Sequence, residues 1–175
     1  MGQADNLGDQ EPNMPDVKQI TTEEQLAKSL EVIRQSFRTV AEEMNMTREK
    51  TPDHPAFYTM ERLRDLHKKA TFWGLYVDEN QVGFIAAEKG EGGIYYMDRL
   101  SILPAYRLQG YGRKLMESLL DYVRQQGGTK VALGMVNSQT NLKNWYKSFG
   151  FLETGTKQFE HLPFLVCFME KDLSA

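Results

Sequence analysis

With 175 residues, of which 41% are hydrophobic and 26% charged, the chain has the length and composition of one folded domain with its own core. Its formal charge of -3, from 21 Lys and Arg against 24 Asp and Glu, argues against phosphate neutralisation as a main role and predicts no nucleic-acid partner. No stretch approaches the roughly 20 apolar residues of a membrane span, so a soluble protein with no membrane partner is expected.

The N-terminal residues 1–15 are rich in Gly, Asp, Asn, Gln and Pro and predict a flexible segment, with a single domain over 16–175. The sequence has one cysteine, Cys167, within an apolar run that predicts a buried strand. A cysteine with no disulfide partner and an N-terminus with no apolar signal segment together predict a cytoplasmic location.

Two helices are predicted after a short strand over 17–20. Thr21 and Glu24 have the spacing of a capping box, and apolar residues recur beyond them at helical spacing to about residue 44. A second helix is predicted over about 55–69, because Pro55 suits a first helical turn and an apolar side follows it.

Three strands are predicted next, over 71–77, 82–88 and 94–103. A turn at 78–80 joins the first two, and a glycine-rich turn at 89–93 leads into the third. These spacings predict an antiparallel meander.

The helical pattern returns after Gly110 and ends at a glycine pair. The strand that follows, 130–136, is reached through this crossover and is therefore predicted to lie parallel to the strand over 94–103. A helix over 140–149 and strands over 151–159 and 164–171 complete the chain. The predicted fold class is α/β, with a mixed, mostly antiparallel sheet of about six to seven strands flanked by about four helices.

Two glycines, Gly110 and Gly112, stand where a strand gives way to a long helix. The first turn of a helix has N–H groups without partners and a positive dipole end, and glycines let an anion lie against them. The alternative is a tight turn without a ligand. A Rossmann site is a poor match because its third glycine would fall at Leu115, and the Gly-Lys-Ser/Thr ending of a P-loop is missing.

Two segments resemble the GNAT superfamily of N-acetyltransferases. The first matches the Gln/Arg-x-x-Gly-x-Gly/Ala signature in its strand-loop-helix context and reads Arg107-Leu108-Gln109-Gly110-Tyr111-Gly112. The second resembles a helix that bears a tyrosine and ends in Gly-Phe, and reads Asn144-Trp145-Tyr146-Lys147-Ser148-Phe149-Gly150-Phe151. The resemblance covers about 19–172 and implies the GNAT fold with acetyl-CoA as co-substrate.

This resemblance implies a set of cofactor-binding residues. Main-chain groups of Leu100, Ser101 and Ile102 would pair with pantetheine, and the loop would hold the pyrophosphate through Arg107, Leu108, Gln109, Gly110, Tyr111, Gly112 and Arg113. Amides near the last helix, Asn137, Gln139 and Asn144, are further candidates. Many members have Asn where this chain has Gln139, and each of these amides could instead be a cap or turn residue. Arg113 could equally be a solvated helix residue.

Two residues are candidates for catalysis. Tyr146 matches the tyrosine that commonly acts as general acid toward the CoA sulfur, and its alternative role is packing. Asp98 is the candidate base, since strand alternation puts Tyr96, Asp98 and Leu100 on one face and Arg99 on the other, although a bulge would break this parity. Asp98 could accept the amine's proton, directly or through water, attract a cationic substrate, or simply pair with Arg99 or a lysine.

The acceptor side is less defined by the sequence. Tyr96 is a candidate for orienting the acceptor. His161 lies in the link between the last two strands, which borders the acceptor pocket in many GNAT proteins, so it could be a base, a substrate ligand or a surface residue. No metal site is expected, because the histidines lack a Cys or carboxylate cluster at ligand spacing.

The implied reaction is direct attack of a primary amine, from a small molecule or a protein N-terminus, on acetyl-CoA; the acyl chain length stays open. A non-catalytic acyl-CoA binding or sensing domain is the alternative, and a structural protein that uses the fold for association is a third. The helix and the last strands could also form a homodimer face.

Overall fold

The computed structural model describes residues 14–174. Residues 1–13 of the predicted flexible segment therefore lie outside the described residues. Within the described range a seven-stranded sheet is flanked by four α-helices. The strands are β1 (Asp16–Gln19), β2 (Ala70–Val77), β3 (Asn80–Lys89), β4 (Ile94–Ile102), β5 (Lys130–Val136), β6 (Leu152–Gln158) and β7 (Leu165–Asp172). The helices are α1 (Glu23–Glu43), α2 (Met60–His67), α3 (Tyr111–Gln125) and α4 (Thr140–Ser148).

The strand order is β1-β2-β3-β4-β5-β7-β6. Strands β4 and β5 are parallel, because the crossover through α3 returns the chain in the same direction, and the other neighbouring pairs are antiparallel. The predicted fold class and the predicted parallel pair are both confirmed.

A hydrophobic core lies on each face of the sheet. On one face, apolar residues of α3 such as Leu115 and Leu119 pack with the strands. On the other face, Ile33 of α1 and Leu63 of α2 pack against Phe72 and Phe84. Helices α1 and α2 contact β2, β3 and β4, so they lie over one half of that face.

The N-terminal cap of α1 is one residue later than predicted. The Thr22 hydroxyl accepts from the Gln25 N–H at 3.2 Å, and Gln25 Oε1 accepts from the Thr22 N–H at 3.0 Å. The box predicted at Thr21 and Glu24 is therefore wrong, because a glutamine side chain closes the box as well as a glutamate does.

The predicted helix over 55–69 is interrupted. A 3₁₀ turn at Pro55–Phe57 is followed by the extended residue Tyr58, and α2 then starts behind Thr59, whose hydroxyl accepts from the Arg62 N–H. The break has a tertiary cause. The Tyr58 side chain is 2% exposed and its main-chain oxygen accepts from Arg34 Nε of α1 at 2.6 Å.

Candidate active site

A gap opens between the parallel strands β4 and β5. Their pairing stops at Tyr96 and Ala132, whereas β4 stays paired with β3 to Ile102 and β5 stays paired with β7 to Val136. Beyond the last pair, the facing edges of β4 and β5 present main-chain groups to the gap. Such an edge can form hydrogen bonds with an extended ligand. The cofactor-binding candidates Leu100, Ser101 and Ile102 lie on this stretch of β4.

A bulge in β4 changes which side chains share a face. Asp98 pairs with Ala86 and Ser101 with Phe84, so two residues of β4 stand opposite Ile85 alone. Arg99 has a left-handed φ of 55°, and its carbonyl accepts from the Ser101 hydroxyl at 2.7 Å.

The predicted alternation around Asp98 is therefore partly wrong. Leu100 packs with the core under α3, away from Asp98, whereas Arg99 contacts Tyr58 on the side of α1. Tyr96 and Asp98 do share a face, since both precede the bulge.

The loop before α3 contains two left-handed residues, Leu108 with φ 62° and Gly110 with φ 81°. The Leu108 side chain is fully exposed, and a Cβ at Gly110 would meet no atom within 4 Å. Left-handed residues next to a helix start can turn successive N–H groups toward one anion.

The start of α3 is also free for an anion. Its cap residue, Gly110, provides no side-chain hydrogen bond, and its first turn contains no acidic residue. By contrast, α1 and α2 begin behind threonines whose hydroxyls accept main-chain N–H bonds, and both carry glutamate in the first turn. The unpaired N–H groups and the dipole of α3 therefore face outward at the end of β4.

The charged side chains of this loop are turned to other partners. Arg107 donates to the carbonyl of Ile102 at 3.1 Å and to that of Ser36 in α1 at 2.8 Å. The Arg113 guanidinium lies over the Phe149 ring at 4.4 Å. The main chain is thus the part of the loop best placed to receive an anion.

Gly112 has a packing role. A Cβ there would lie 3.4 Å from the Trp145 ring, so the glycine lets α4 approach the start of α3. This contact brings the helix with Tyr146 close to the N-terminal end of α3.

Two ion pairs join helix α4 to β6. Lys143 and Lys147 of α4 bind Glu153 of β6 at 2.9 and 3.0 Å. The hydrogen bond from Lys143, then that from Lys147, lowers the pKa of Glu153 to about 2. Buried Cys167 lies beside this group, as its Sγ approaches a Glu153 oxygen at 3.5 Å.

The three amide candidates near α4 differ in their surroundings. Asn137 Oδ1 accepts from Lys143 Nζ at 2.7 Å. Gln139 is the N-cap residue of α4 without a side-chain cap bond, and Asn144 is exposed. Like α3, α4 has no acidic residue in its first turn.

Tyr146 is 5% exposed and its ring packs against Trp145 and Phe151, with centroids at 5.3 and 5.9 Å. Burial raises the pKa of the Tyr146 hydroxyl above its ordinary value of 10.0, so the hydroxyl is protonated throughout the neutral range, as an unshifted tyrosine also is. The packing role considered from the sequence is therefore observed. The protonated hydroxyl can also donate a hydrogen bond.

Asp98 is held by the neighbouring residue Arg99. Its Oδ1 lies 2.7 Å from Arg99 Nη1, and Arg99 Nε donates to the Tyr58 hydroxyl at 2.6 Å. The pairing of Asp98 with Arg99 considered from the sequence is thus observed. Tyr58 had no signal of its own, because it falls in a segment that reads as a continuous helix.

His54 lies next to this group. Burial, and then the charge of Arg99, lower the pKa of His54 to about 4, so the imidazole is neutral at pH 7. Its Nδ1 accepts from the Ala56 N–H at 3.2 Å. Among residues 14–174, no group of three His, Cys, Asp or Glu side chains is arranged to hold a metal ion.

A cavity of about 540 Å³ lies at the closed end of the gap. It is on the face that carries α1 and α2, because Tyr96 and Asp98 belong to that face and strand register places Ala132 and Glu170 beside them. The cavity is lined by Tyr96, Met97, Asp98, Ala132, Leu133, Gly134, Thr154, Gly155, Thr156, Lys157, Phe168, Met169 and Glu170.

The structure brings Tyr96 and Asp98 together in this wall. His161 lies outside it, exposed, with its ring 5.7 Å from Phe159. Phe168 and Gly134 were not singled out from the sequence, although a glycine inside a strand is a signal of close approach.

Within residues 14–174, every helix falls short of the length or the apolar character that a membrane span requires.

Comparison of sequences connects the chain with acetyltransferases. A model of the Acetyltransferase (GNAT) family matches residues 34–151. The probable N-acetyltransferase camello of Xenopus tropicalis is 30% identical over 103 residues, which are 58% of this chain and 46% of that protein. The match thus spans less than half of the length of this relative.

Solved structures share the fold. The ribosomal-protein-S18-alanine N-acetyltransferase of Escherichia coli superposes with a TM-score of 0.75 at 16% identity, covering 93% of this chain and 96% of that one. The PaiA N-acetyltransferase of Thermoplasma acidophilum, crystallised with coenzyme A, gives a TM-score of 0.71 at 18% identity, covering 91% and 99%. The family match extends over more than half of the sequence, and this chain therefore belongs to the acetyltransferase (GNAT) family.

Proposed function

We propose that this protein transfers the acetyl group of acetyl-CoA to a primary amine of a small molecule or a protein N-terminus. One observation carries the proposal. The gap between β4 and β5 leads directly from the uncapped start of α3 to the cavity at its closed end. A diphosphate at one end, an extended arm along the gap and a reactive group beside the cavity fit this arrangement.

The residues present fit the co-substrate. The N–H groups around Gly110 and Tyr111 would bind the pyrophosphate, because they lack side-chain caps and face outward. Main-chain groups of Leu100, Ser101 and Ile102 would pair with the pantetheine arm. Gln139, Asn137 and Asn144 are the amides at the opposite side of the gap. When bound, acetyl-CoA supplies the activated acyl group.

The chemistry requires a neutral amine and a stabilised leaving thiolate. Asp98, which lines the cavity, accepts the amine proton directly or through water. A main-chain N–H of β4 beside the bulge binds the carbonyl oxygen as negative charge develops on it. The new C–N bond forms as the C–S bond breaks, and the Tyr146 hydroxyl donates to the departing sulfur.

Arg99 is part of the same arrangement as a positioning residue. Its ion pair orients the Asp98 carboxylate, and its bond to the buried Tyr58 hydroxyl holds the guanidinium in place. Tyr96 faces the same cavity and would contact the acceptor. His161, which is exposed on the β6–β7 link outside this wall, would contact only the part of an acceptor that extends beyond the cavity.

The other candidate function is an acyl-CoA binding or sensing domain without turnover. This function is favoured because both catalytic candidates already have structural roles: Tyr146 is packed in the core, and Asp98 is ion-paired. Thiol release from acetyl-CoA in the presence of a panel of amines separates the two functions. Saturable binding with no amine-dependent release would establish the sensor.

Calorimetric titration of coenzyme A into the Gly110→Asp variant tests the placement of the pyrophosphate. A carboxylate about 4 Å from the diphosphate costs about 4 kcal/mol at an effective dielectric constant of about 20, which weakens binding roughly a thousandfold. Gly92→Asp is the matched control, because Gly92 is also left-handed, at φ 66°, with no atom within 4 Å of its Cβ position, and lies in the β3–β4 turn. Equal affinity in the two variants would contradict the proposal.

The proposal extends to location and assembly. The buried thiol of Cys167 fits a reducing compartment such as the cytoplasm.

Strand β6 is an edge strand with every residue exposed, so two chains could pair there. Sedimentation equilibrium gives the assembly state.

A further inference from the structure

Two glycines face the cavity, and neither has a left-handed backbone that would require glycine, although Gly155 adjoins a register shift between β6 and β7. Gly134 of β5 and Gly155 of β6 both have φ outside the left-handed region. A Cβ at Gly134 would lie 3.4 Å from Val166 and 3.5 Å from Phe168, which are ordinary contacts, and one at Gly155 would meet nothing within 4 Å. Because glycine weakens a strand interior, the missing side chains point to an occupant of the cavity.

Both glycines flank the same aromatic ring. Phe168 of β7 pairs with Gly134 on one side and with Gly155 on the other. Cross-strand neighbours normally cover each other, because their Cβ atoms lie only about 5 Å apart. At Phe168 both cross-strand neighbours lack a side chain, so the ring is left open on those two sides, and Phe159 lies edge-on to it at 6.4 Å between centroids.

A second ring forms the opposite wall. Tyr96 of β4 is 48% exposed. Its ring lies where any side chain at Gly90 would clash, because a Cβ at Gly90 would be 2.6 Å from the ring. Between the two rings, β5 presents only Ala132 and Gly134. The cavity therefore has a low floor between two aromatic walls.

The charges of the wall are largely compensated. The carboxylate of Asp98 pairs with Arg99, and that of Glu170 pairs with Lys130 at 2.9 Å. Lys157, also in the wall, adds a positive charge over the Phe159 ring at 4.7 Å. This wall offers no excess of negative charge to a polyamine chain.

We propose that the acceptor is a primary amine with a flat apolar body, which lies on Phe168 and above Ala132 and Gly134. Gly134 and Gly155 then set the size of that body. This inference rests on the proposed function, because it assumes that the cavity receives the acceptor. Aromatic and apolar groups gain most from such a surface, since they bury area and stack in offset or edge-to-face geometry.

The test uses 2-phenylethylamine as probe, with ethylamine and spermidine for comparison. Binding of each amine to the protein saturated with coenzyme A is measured by calorimetry, and acetyl transfer is measured as kcat/KM. In the unmodified protein 2-phenylethylamine is expected to be the best of the three in both measurements. Gly134→Leu, which fills the floor, should lower its kcat/KM about 10–200-fold, as expected for a group that no longer fits an apolar pocket.

The controls separate filling of the cavity from damage to the fold. Gly134→Ala adds a methyl group that the site accommodates and should have a smaller effect than Gly134→Leu. Gln19→Leu places the same side chain on an exposed position of β1 and should change nothing. Affinity for coenzyme A should be unchanged in all three variants. If Gly134→Leu does not fold, Gly155→Leu gives the same test, because its Cβ position is open.

The results distinguish this inference from the proposed function. Preference for spermidine or ethylamine in acetyl transfer, or equal loss for all amines in the folded Gly134→Leu protein, overturns the inference while the acetyltransferase function stands. Binding of 2-phenylethylamine that is lost in Gly134→Leu, with no acetyl transfer to any amine, supports the cavity assignment and overturns the function.

Discussion

The conformation of the loop before α3 can be tested by substituting its two left-handed residues. Leu108 holds φ 62° with its side chain fully exposed, and Gly110 holds φ 81° with open space at its Cβ position. Neither position has packing that would confuse the result. Leu108→Gly should therefore stabilise the protein, and Gly110→Ala should destabilise it.

The magnitudes follow from the backbone. A non-glycine residue in the left-handed region costs about 1–2 kcal/mol, and glycine loses about 0.5–1 kcal/mol more on folding than alanine does. Leu108→Gly should thus raise the free energy of unfolding by about 0.5–1 kcal/mol. Gly110→Ala should lower it by about 1–2 kcal/mol through backbone strain, and this loss is partly offset because alanine loses less chain entropy on folding than glycine does. For a domain of this length each kcal/mol moves Tm by about 2–4 °C.

Thermal unfolding followed by circular dichroism measures these shifts. Leu108→Ala is the matched control, because it removes the exposed leucine but keeps the left-handed strain, and its Tm should stay close to that of the unmodified protein. Affinity for coenzyme A should be kept in Leu108→Gly, as the backbone already has the required conformation. A Leu108→Gly protein no more stable than Leu108→Ala would refute the reasoning.

Two further predictions concern α4. Tyr146→Phe keeps the buried ring and removes the hydroxyl. Its kcat should fall about 10²–10³-fold, as expected when one hydrogen-bond donor to developing charge is lost, and its calorimetric affinity for coenzyme A should be unchanged. An unaltered kcat would leave Tyr146 with only the packing role. Glu153→Gln tests the ion pairs with Lys143 and Lys147. Because folding lowers the pKa of Glu153 from 4.5 to about 2, its contribution is full above pH 4.5 and is lost as the pH falls toward 2. In urea unfolding the unmodified protein should exceed Glu153→Gln in stability at pH 6, and this difference should shrink below pH 4.5; a difference independent of pH would contradict the ion-pair account.

The periodicity of the sequence determined the order and type of the secondary structure. The strand over 130–136 was predicted with its observed bounds, and the parallel pairing of β4 with β5 follows from the intervening helix. Local signals are sufficient here because apolar period, glycine and proline act over a few residues along the chain. The two motif segments also identified the family, because each lies within a single loop or helix and the conformation of its backbone depends on neighbouring residues.

Tertiary structure decided the details of the site. The bulge at Arg99 reversed the predicted side of Leu100, and the burial of Tyr58 interrupted a segment with continuous helical pattern. Both depend on contacts between residues that are distant in sequence: the bond from Arg99 to Tyr58 spans 41 positions, and that from Arg34 to Tyr58 spans 24. The cavity likewise arises where β4, β5, β7 and β6 meet, so Gly134 and Phe168 become neighbours of Tyr96 and Asp98 only after the sheet has formed.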